Sequence, residues 1–282
     1  MRVTAPAIAA AKGRKRLVSV TAYDAPTARL VEEAGVDFIL VGDSVAMVVL
    51  GQESTLEVTM DAMVHHCRAV VRGTATTHVV LDLPFMTYQT GEDDAVRNAG
   101  RALKEGGAQS VKLEGGARMA PLVARLVDAG VPVMGHVGLR PQSVNRTGGF
   151  RTQGTDPASA DAVIADATAV AEAGAYALVL EKIPSELAAH ITAHVAVPTI
   201  GIGSGPHCDG QILVLHDLLG LDESFQPMHA KRYASLGATI RDAIGAYATD
   251  VREGRFPEED HTVHASEALG AHLRGLAPRD GS

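Results

Sequence analysis

The chain has 282 residues, of which 46% are hydrophobic and 4% aromatic, with no tryptophan. Its 33 acidic and 25 basic residues give a formal net charge of −8. This charge argues against a nucleic-acid or anionic-membrane surface, because both require clustered Lys and Arg, and it favours a small-molecule substrate. A chain of this length fits one α/β barrel or two ordinary domains.

The first 16 residues do not have the pattern of a signal peptide. A short apolar patch there precedes the basic cluster at 12–16, which is the reverse of the signal-peptide order. No later apolar run is as long as a membrane span. The two cysteines, Cys67 and Cys208, are too isolated for a disulfide framework or a zinc site, so we expect both to be packing residues. These features predict a soluble, cytoplasmic protein.

Short apolar runs predict eight strands that are buried on both faces, as in a parallel sheet. The predicted strands are 17–24, 36–44, 79–83, 110–115, 131–138, 176–183, 197–203 and 212–216. The predicted helices are 28–34, 60–71, 93–105, 118–129, 158–173 and 185–194. Several of them end at a glycine shortly before the next strand, where glycine provides a left-handed cap. This alternation predicts an α/β fold, and eight strands favour closure into a (β/α)8 TIM barrel over an open sheet.

We expect one barrel domain over 1–282, with its core at about 17–261, an N-terminal tail at 1–16 and a C-terminal extension at 262–282. The stretch 138–156 is too long for an ordinary connection, so it is either a lid over a site or a surface loop without a role. Beyond Pro257 the chain becomes acidic and His-rich. We expect that tail to be poorly ordered unless a neighbouring subunit holds it.

Ionisable residues lie near the ends of five predicted strands, namely Asp43, Asp82, Glu114, His136 and Glu181. Parallel strands that alternate with helices bring these ends to one edge, where α/β enzymes have their active sites. A single acid at such a position is more often a helix cap or an ion-pair partner. However, Asp43, Asp82 and Glu114 end three successive core strands, and crowded buried carboxylates require a compensating cation. Hard oxygen ligands favour Mg²⁺.

Three further residues on these strands have two interpretations each. Lys112 points to the same side as Glu114, so it either neutralises the acids or binds a substrate carboxylate or carbonyl oxygen. His136 is either a core imidazole with satisfied hydrogen bonds or a donor to that oxygen. Glu181 is a candidate general base, although it could instead cap the following helix or pair with Lys182.

Two other features carry less weight. His65 and His66 are adjacent on a predicted helix and face different directions, so we expect them to be surface or packing residues. The glycine-rich run at 201–205 lacks the Lys and Ser/Thr of a phosphate-binding P-loop. It is better suited to letting backbone approach a substrate closely.

Several motifs closely resemble ketopantoate hydroxymethyltransferase. They are TAYD at 21–24, VGDS at 41–44, DLPFM at 82–86, VKLEGG at 111–116, GHVGL at 135–139, PQSVN at 141–145, GIGSG at 201–205 and DGQILV at 209–214. The resemblance extends over about 17–261. It implies a (β/α)8 barrel of the phosphoenolpyruvate/pyruvate type, which commonly assembles into decamers. The implied reaction transfers a one-carbon unit from 5,10-methylenetetrahydrofolate to 3-methyl-2-oxobutanoate, the committed step towards pantothenate and coenzyme A.

The resemblance also assigns roles to site residues. It makes Asp43 and Asp82 acids of a site for one Mg²⁺ per subunit, with Glu114 beside them. Ser44 and Lys112 then contact the oxo acid, in a substrate site that also includes Asp43, Asp82 and His136. Glu181 becomes the proton acceptor. The sequence departs from the family pattern at Arg146 and Thr147 and after Val263, which leaves the folate contacts open.

The mechanism expected from the resemblance is metal-assisted enolisation followed by carbon–carbon bond formation. Mg²⁺ on the oxo acid lowers the pKa at C3, Glu181 removes the C3 proton, and the enolate attacks the folate-borne carbon. A rival hypothesis is a Mg²⁺-dependent oxo-acid lyase or mutase of the same superfamily. Those enzymes favour a catalytic Cys in a mobile loop, and neither Cys67 nor Cys208 lies in such a place. A non-catalytic metal-binding or assembly protein is the second alternative.

Overall fold

The computed structural model describes residues 2–276, and within them eight parallel strands close into a barrel in chain order. The strands are β1 (Leu17–Thr21), β2 (Phe38–Val41), β3 (His78–Asp82), β4 (Ser110–Glu114), β5 (Val133–Gly138), β6 (Ala177–Glu181), β7 (Thr199–Ile202) and β8 (Gly210–Leu213). The barrel closes where Leu17 to Val20 of β1 pair with Gly210 to Leu213 of β8. The predicted (β/α)8 fold is therefore confirmed.

Along the chain, one helix precedes β1, others connect most of the strands, and three follow β8. The helices are α1 (Ala5–Ala9), α2 (Ala25–Glu33), α3 (Val45–Val48), α4 (Met60–Gly73), α5 (Glu92–Lys104), α6 (Ala120–Asp128), α7 (Val144–Thr147), α8 (Pro157–Glu172), α9 (Ser185–His194), α10 (Leu215–Leu219), α11 (Leu236–Arg252) and α12 (Glu267–Arg274). All six predicted helices are present. The sequence did not predict α1, α11 or α12, the short helices α3, α7 and α10, or that β8 begins at Gly210 and ends at Leu213.

The residue pattern explains where these helices start. Asp24 accepts a hydrogen bond from the Thr27 backbone N–H at the start of α2, and Pro26 occupies the first turn, where its missing N–H costs nothing. Asp156 and Ser159 form a reciprocal capping box at the start of α8. The local sequence therefore determines the residue at which each of these helices starts.

Two apolar clusters hold the barrel together. The larger lies between the strands and the surrounding helices, and includes Val41, Leu81, Leu113 and Leu180, together with Val70 of α4. The smaller cluster contains the alternate strand residues that face the barrel interior, together with Ala5 and Ile8 of α1. Its strand members are Leu17, Phe38, Leu40, Val80, Met134, Ala177, Val179, Ile200 and Ile212. Burial on both faces explains the near-continuous apolar strand sequences.

The chain divides into two compact units between Ala234 and Ser235. The first contains the barrel. In the second, α11 exposes Ile240, Ile244 and Tyr247 along one side, and Tyr247 packs edge-to-face against Phe256 with ring centroids 5.5 Å apart. In residues 2–276, no helix has the length and apolar character needed to span a membrane.

Candidate active site

Five neighbouring strands bring the predicted site residues to the C-terminal end of the barrel. Asp43 lies two residues beyond β2, Asp82 ends β3, Lys112 and Glu114 lie on β4, His136 lies on β5, and Glu181 ends β6. The pairing register places Asp82 beside Lys112 and Glu114 beside His136. These residues therefore form one continuous arc around the barrel opening.

All seven predicted site residues line one cavity of about 150 Å³. They are Asp43, Ser44, Asp82, Lys112, Glu114, His136 and Glu181. Apolar side chains such as Met47, Phe150 and Ile212 complete its wall. A small cavity with convergent polar groups and apolar walls is typical of a site for a small organic molecule.

Asp82 and Lys112 form a buried ion pair at the floor of the cavity. Lys112 Nζ lies 2.7 Å from Oδ1 and 2.6 Å from Oδ2 of Asp82, and the two side chains are only 5% and 2% exposed. Burial alone would lower the pKa of Lys112, but the nearby carboxylates of Asp82, Asp43 and Glu114 outweigh it and raise that pKa. Burial raises the pKa of Asp82 to about 7 in spite of Lys112, and Asp43 adds to this effect.

Glu114 lies in the same cluster as Asp43 and Asp82. Burial, followed by repulsion from Asp43, raises the pKa of Glu114 well above its ordinary value. Its Oε2 accepts a hydrogen bond of 3.1 Å from the Gln142 backbone N–H, whereas its buried Oε1 has no hydrogen-bond partner within residues 2–276. Three buried carboxylates thus share one ammonium group, and the raised pKa values reflect this shortage of positive charge.

Gln142 connects the ends of three strands, a role that the sequence pattern did not predict. Its Nε2 donates to Asp43 Oδ2 at 3.0 Å and to the Leu83 carbonyl at 2.9 Å, while its Oε1 accepts from Tyr88 Oη at 2.7 Å. Its backbone N–H holds Glu114. The only available signal was its place in the PQSVN motif, because hydrophobic periodicity does not reveal a buried polar side chain that faces other strands.

His136 and Glu181 form a second polar contact, on the opposite side of the arc from Asp43. His136 Nε2 lies 3.2 Å from Glu181 Oε2, and His136 Nδ1 lies 3.6 Å from Glu114 Oε1. Burial, with a further effect from Lys112, lowers the pKa of His136, so the neutral imidazole is favoured. The Glu181 side chain is 16% exposed, against 3% for Glu114. Glu181 is therefore the more accessible of these two carboxylates.

The surroundings of Glu181 do not match its two structural alternatives. Lys182 Nζ donates to the Phe150 carbonyl at 2.7 Å rather than to Glu181, and no side chain caps α9. Lys182 has φ 45°, a left-handed conformation that is uncommon for residues with a side chain. Such backbone strain persists only where surrounding contacts maintain it, and it is concentrated at functional sites.

Ser44 lies next to Asp43, before the short helix α3. Its hydroxyl is 2.9 Å from the Tyr23 hydroxyl, and burial raises the pKa of Tyr23, so this phenol stays neutral. Tyr23 therefore fixes the position of the Ser44 hydroxyl at the cavity wall. Tyr23 belongs to the TAYD motif, but the sequence pattern did not predict its contact with Ser44.

The long connection at 138–156 forms one side of the cavity. Pro141 and Phe150 line the cavity, and Gln153 N donates to the Lys182 carbonyl at 2.9 Å. The stretch also contains α7 and a short 3₁₀ turn, Pro141–Ser143. It is thus part of the site wall rather than a surface loop without a role; lid movement stays a prediction.

The donor atoms of the cluster suit a hard divalent cation. Asp43, Asp82 and Glu114 supply carboxylate oxygens, and the unpartnered Glu114 Oε1 is the kind of orphaned buried acceptor that such an ion would satisfy. In residues 2–276, no group of three or more His, Cys, Asp and Glu side chains is arranged to hold a metal ion. Lys112 already engages both oxygens of Asp82, and Gln142 engages Asp43 Oδ2.

Of the remaining candidates, the run at 201–205 borders this cavity through Ile202, whereas the two histidines and two cysteines do not line it. His65 is exposed, and His66 Nδ1 lies 2.8 Å from the Tyr23 carbonyl, in agreement with surface and packing roles. Cys67 and Cys208 are buried free thiols. In the run at 201–205, Ser204 Oγ donates to the Leu180 carbonyl at 2.8 Å. A close approach of the 201–205 backbone to a substrate stays a prediction.

Comparisons with known proteins agree with the motifs. The sequence model of the ketopantoate hydroxymethyltransferase family matches residues 2–259. The chain is 55% identical over 262 residues to 3-methyl-2-oxobutanoate hydroxymethyltransferase from Moorella thermoacetica, covering 93% of this chain and 97% of the relative. It is 51% identical to the protein of the same name from Syntrophobacter fumaroxidans, covering 98% of both chains.

Solved structures with a similar fold are more distant in sequence. Phosphonopyruvate hydrolase aligns with a TM-score of 0.62 at 15% identity, covering 98% of this chain and 95% of the other. A 2,3-dimethylmalate lyase of the PEP mutase/isocitrate lyase superfamily aligns with a TM-score of 0.59 at 16% identity, covering 97% and 99%. At these identities the likeness shows the barrel fold alone. It lends no support to a lyase or mutase activity.

Proposed function

The chain belongs to the ketopantoate hydroxymethyltransferase family, and from this premise we propose how its own residues carry out the transfer. The family activity makes it an enzyme of pantothenate biosynthesis. We propose that 3-methyl-2-oxobutanoate is the acceptor, that 5,10-methylenetetrahydrofolate donates the one-carbon unit, and that 2-dehydropantoate is the product.

The observation that carries this proposal is the convergence of seven polar side chains from five strands on one small cavity. Glu181 is the proposed catalytic base. Its carboxylate faces the cavity and, within residues 2–276, is not held by a Lys or Arg side chain, unlike that of Asp82. A carboxylate that is free of a cation and within reach of the substrate can accept the proton from C3 at one of its oxygens.

The other side chains bind and orient the oxo acid. The Lys112 ammonium is proposed to contact the substrate carboxylate or ketone oxygen, since it is the buried cation at the cavity floor. The Ser44 hydroxyl, positioned by Tyr23, donates to a substrate oxygen. His136 orients Glu181 through the contact between Nε2 and Oε2. Asp43 and Asp82 complete the substrate site.

Asp43, Asp82 and Glu114 are the proposed ligands of one Mg²⁺ per subunit. When bound, Mg²⁺ would act as a Lewis acid towards the oxygens of the oxo acid, which makes the C3 proton more acidic. Two of these carboxylates already have partners, Lys112 on Asp82 and Gln142 on Asp43. We therefore expect Mg²⁺ alone to bind weakly and to bind more tightly together with the oxo acid.

Carbon–carbon bond formation completes the proposed reaction. After Glu181 takes the proton, the C3 carbon forms a bond to the one-carbon unit, and the bonds from that unit to the two folate nitrogens break. Water supplies the hydroxyl oxygen of 2-dehydropantoate, and the folate nitrogens take the second proton of water and the proton from Glu181, which leaves tetrahydrofolate. The apolar wall formed by Met47, Phe150 and Ile212 limits the access of water to the reacting carbon.

One assay tests the proposed function. Purified protein is incubated with Mg²⁺, 3-methyl-2-oxobutanoate and 5,10-methylenetetrahydrofolate, and the product is identified by mass. We expect 2-dehydropantoate, and solvent deuterium at C3 of the oxo acid when folate is omitted. Calorimetric titrations of Mg²⁺ with and without oxo acid test the metal ligands. Absence of 2-dehydropantoate would contradict the proposal.

We further propose that the chain forms a homo-oligomer, with a decamer as the expected form. The exposed apolar side of α11, which includes Ile240, Ile244 and Tyr247, supports an association through apolar surface. Light scattering that gives a stable monomer at micromolar concentration would contradict this. Location in the cytoplasm and a single domain over 1–282 stay predictions from the sequence.

A further inference from the structure

A second and larger cavity, of about 440 Å³, opens at the same end of the barrel. It has aromatic and arginine side chains in its wall, including Phe85, Tyr88, Arg118, Arg140 and Arg146. Glu114 borders both cavities, so an occupant of the second cavity would lie next to the oxo-acid site. The volume falls within the roughly 300–1,000 Å³ that is typical of small-molecule sites.

The charge of the second cavity differs from that of the whole chain. Its wall has three arginines against two acids, Glu114 and Asp166, although the chain has a formal net charge of −8. Arg118 and Arg146 are exposed, and within residues 2–276 neither forms an ion pair with an acid. Arg140 Nη1 lies 3.9 Å from Asp166 Oδ2, a contact too long for a hydrogen bond. The guanidinium groups are therefore available to an anionic ligand, and their planar donor sets suit carboxylates.

An aromatic surface accompanies these charges. Phe85 is 36% exposed and follows Pro84 directly after the end of β3. Tyr88 is buried, and its hydroxyl is fixed by Gln142 and by the Glu114 backbone N–H. One accessible ring on a rigid support, next to unpaired guanidinium groups, suits a ligand that has flat rings at one end and carboxylates at the other.

We propose that the second cavity is the folate subsite. Phe85 lies against the ring system of the co-substrate, and Arg118, Arg140 and Arg146 hold the carboxylates of its glutamate tail. This inference rests on the proposed function, because it assigns a place to the one-carbon donor of that reaction. A tetrahydrofolate consists of a pterin, an aminobenzoyl ring and a glutamate with two carboxylates. The shared border at Glu114 places the ring end of such a ligand next to the oxo acid.

The test compares two one-carbon donors that differ only in the tail, 5,10-methylenetetrahydrofolate and its pteroate analogue without glutamate. The variants are Arg140→Gln and the double variant Arg118→Gln/Arg146→Gln. Arg29→Gln, an exposed arginine on α2 outside the cavity, is the matched control. Loss of a charge-assisted hydrogen bond is expected to raise the KM for the folate donor about tenfold in each cavity variant. The KM for the pteroate donor, the KM for the oxo acid and the deuterium exchange at C3 should stay at parental values.

A fourth variant separates the rings from the tail. Phe85→Ala is expected to raise the KM for both donors equally, by about three- to tenfold, because it removes ring contact rather than charge. An unchanged folate KM in the arginine variants, or an equal rise for both donors, would overturn the assignment of the tail. Parental KM values in Phe85→Ala would overturn the assignment of the rings.

A binding measurement keeps the two proposals distinguishable. Calorimetry with tetrahydrofolate itself does not depend on turnover, and we expect weaker binding in both arginine variants and parental binding in Arg29→Gln. If the parent forms no 2-dehydropantoate but shows this pattern of binding, the proposed function fails and the subsite stands. If the parent is active and tetrahydrofolate binds all variants equally, the subsite fails and the proposed function stands.

Discussion

The two ends of the barrel differ in how fully their polar groups are paired. At the C-terminal end, Asp43, Asp82 and Glu114 share the single ammonium of Lys112, and Glu114 Oε1 has no hydrogen-bond partner within the described residues. At the N-terminal end, one carboxylate, that of Glu32, accepts hydrogen bonds from the backbone N–H groups of 75–77 and from two threonine hydroxyls. The carboxylates at the C-terminal end thus have few hydrogen-bond and ionic partners, whereas the Glu32 carboxylate at the N-terminal end has several hydrogen-bond donors.

Other groups at the N-terminal end are equally well paired. The Arg2 guanidinium donates to the carbonyls of Val71, Thr74 and Thr77 at 2.6–2.9 Å, on the segment that Glu32 also binds. Inside the barrel, His78 Nε2 lies 2.8 Å from Ser110 Oγ, and His78 Nδ1 lies 3.0 Å from the Val3 carbonyl. Burial lowers the pKa of His78 to about 4. Neutral His78 therefore donates from Nδ1 and accepts at Nε2.

The pKa values of the carboxylates shift in opposite directions at the two ends of the barrel. The pKa of Glu32 falls to about 2, which means that folding favours its charged form, whereas the pKa of Asp82 rises to about 7. Buried carboxylates that outnumber the nearby cations destabilise the free protein, but an oxygen without a partner within the part of the chain described, such as Glu114 Oε1, remains available to a substrate or a cation. In TIM barrels, the N-terminal end generally serves stability and the C-terminal end serves chemistry. Substitutions at the two ends should therefore separate activity from stability.

The largest effect is expected from Glu181→Gln at the C-terminal end. The substitution keeps the size of the side chain and removes its basicity, so deuterium exchange at C3 should fall by about 10²–10⁴. Thermal unfolding should stay near parental, because Glu181 is partly exposed and contacts His136 rather than a cation. Exchange and unfolding are measured on one preparation. Glu186→Gln, an exposed glutamate on α9, is the matched control and should exchange at the parental rate.

Parental exchange in Glu181→Gln would show that another group is the base, and His136 would be the next candidate. A lower melting temperature with parental exchange per folded molecule would mean that Glu181 is a structural residue. Either outcome would remove the distinction between the two ends at this position.

Asp82→Asn should have the next largest effect, on binding rather than on proton transfer. It removes one proposed metal ligand and the counter-ion of Lys112, so Mg²⁺ and oxo-acid binding should weaken together, on the order of 10–100-fold. The variant should also unfold at a lower temperature, because Lys112 is left buried without its partner. Calorimetry measures the first effect and thermal unfolding the second. Lower stability with parental Mg²⁺ binding would make Asp82 only a counter-ion.

Gln142→Ala should have a smaller effect, because Gln142 positions other residues and touches no reacting atom in the proposed mechanism. The variant loses the hydrogen bonds to Asp43 Oδ2 and Tyr88 Oη but keeps the backbone contact to Glu114. We expect kcat to fall about tenfold as Asp43 loses its orientation. The titration midpoint for Mg²⁺ should rise as well, a change that a purely structural role would not produce.

Gln153→Ala provides the control for this variant. Gln153 lies in the same connection, but among the described residues its side chain bonds only to the Arg151 carbonyl, so the kcat and Mg²⁺ midpoint of Gln153→Ala should be parental. Equal losses in both variants would indicate general loosening of the 138–156 stretch rather than a role for Gln142.

The sequence predicted the barrel and the convergence of these side chains on one cavity because both depend on local patterns. Each strand is a short apolar run that ends in a polar residue, and the shared direction of parallel strands brings those ends together. The predicted strand boundaries were inaccurate where the apolar pattern is weak. The eighth strand is Gly210–Leu213 rather than 212–216. Pairing with Leu17 to Val20 of β1 determines which residues belong to this strand. The helix α12 formed in the extension for which the sequence predicted poor order.

The groups that the sequence did not identify depend on contacts between distant segments. Gln142 bonds to residues 59 and 99 positions away, and Glu32 bonds to a segment 43 to 45 positions away. Neither residue differs in its local pattern from other polar residues in a loop or on a helix. Such pairings form only once the barrel has closed, so hydrophobic periodicity does not reveal them.

The smallest expected effect on activity, and a clear one on stability, comes from Glu32→Gln at the N-terminal end. Burial raises the pKa of Glu32, but hydrogen bonds from the backbone N–H groups of Ala75, Thr76 and Thr77 outweigh it and lower the pKa from 4.5 to about 2. A lowered pKa contributes stability that is fully present above pH 4.5 and is lost as the pH falls towards 2. Glutamine replaces one acceptor oxygen with an amide donor. After allowance for solvent screening, this should cost about 1 kcal/mol at neutral pH.

Unfolding of the parent and of Glu32→Gln is therefore compared by denaturant titration between pH 7 and pH 3. The difference in the free energy of unfolding between the parent and Glu32→Gln should be constant above pH 4.5 and shrink below it. Glu33 is adjacent and exposed, so the control variant Glu33→Gln should show no such difference from the parent. Activity at a temperature well below unfolding should be parental in both, because Glu32 lies at the opposite end of the barrel from the cavity. A difference that does not change with pH would mean that packing, rather than the charged carboxylate, makes Glu32 stabilising. Loss of activity with parental unfolding would show that the N-terminal end also contributes to the chemistry, contrary to the separation of roles between the two ends.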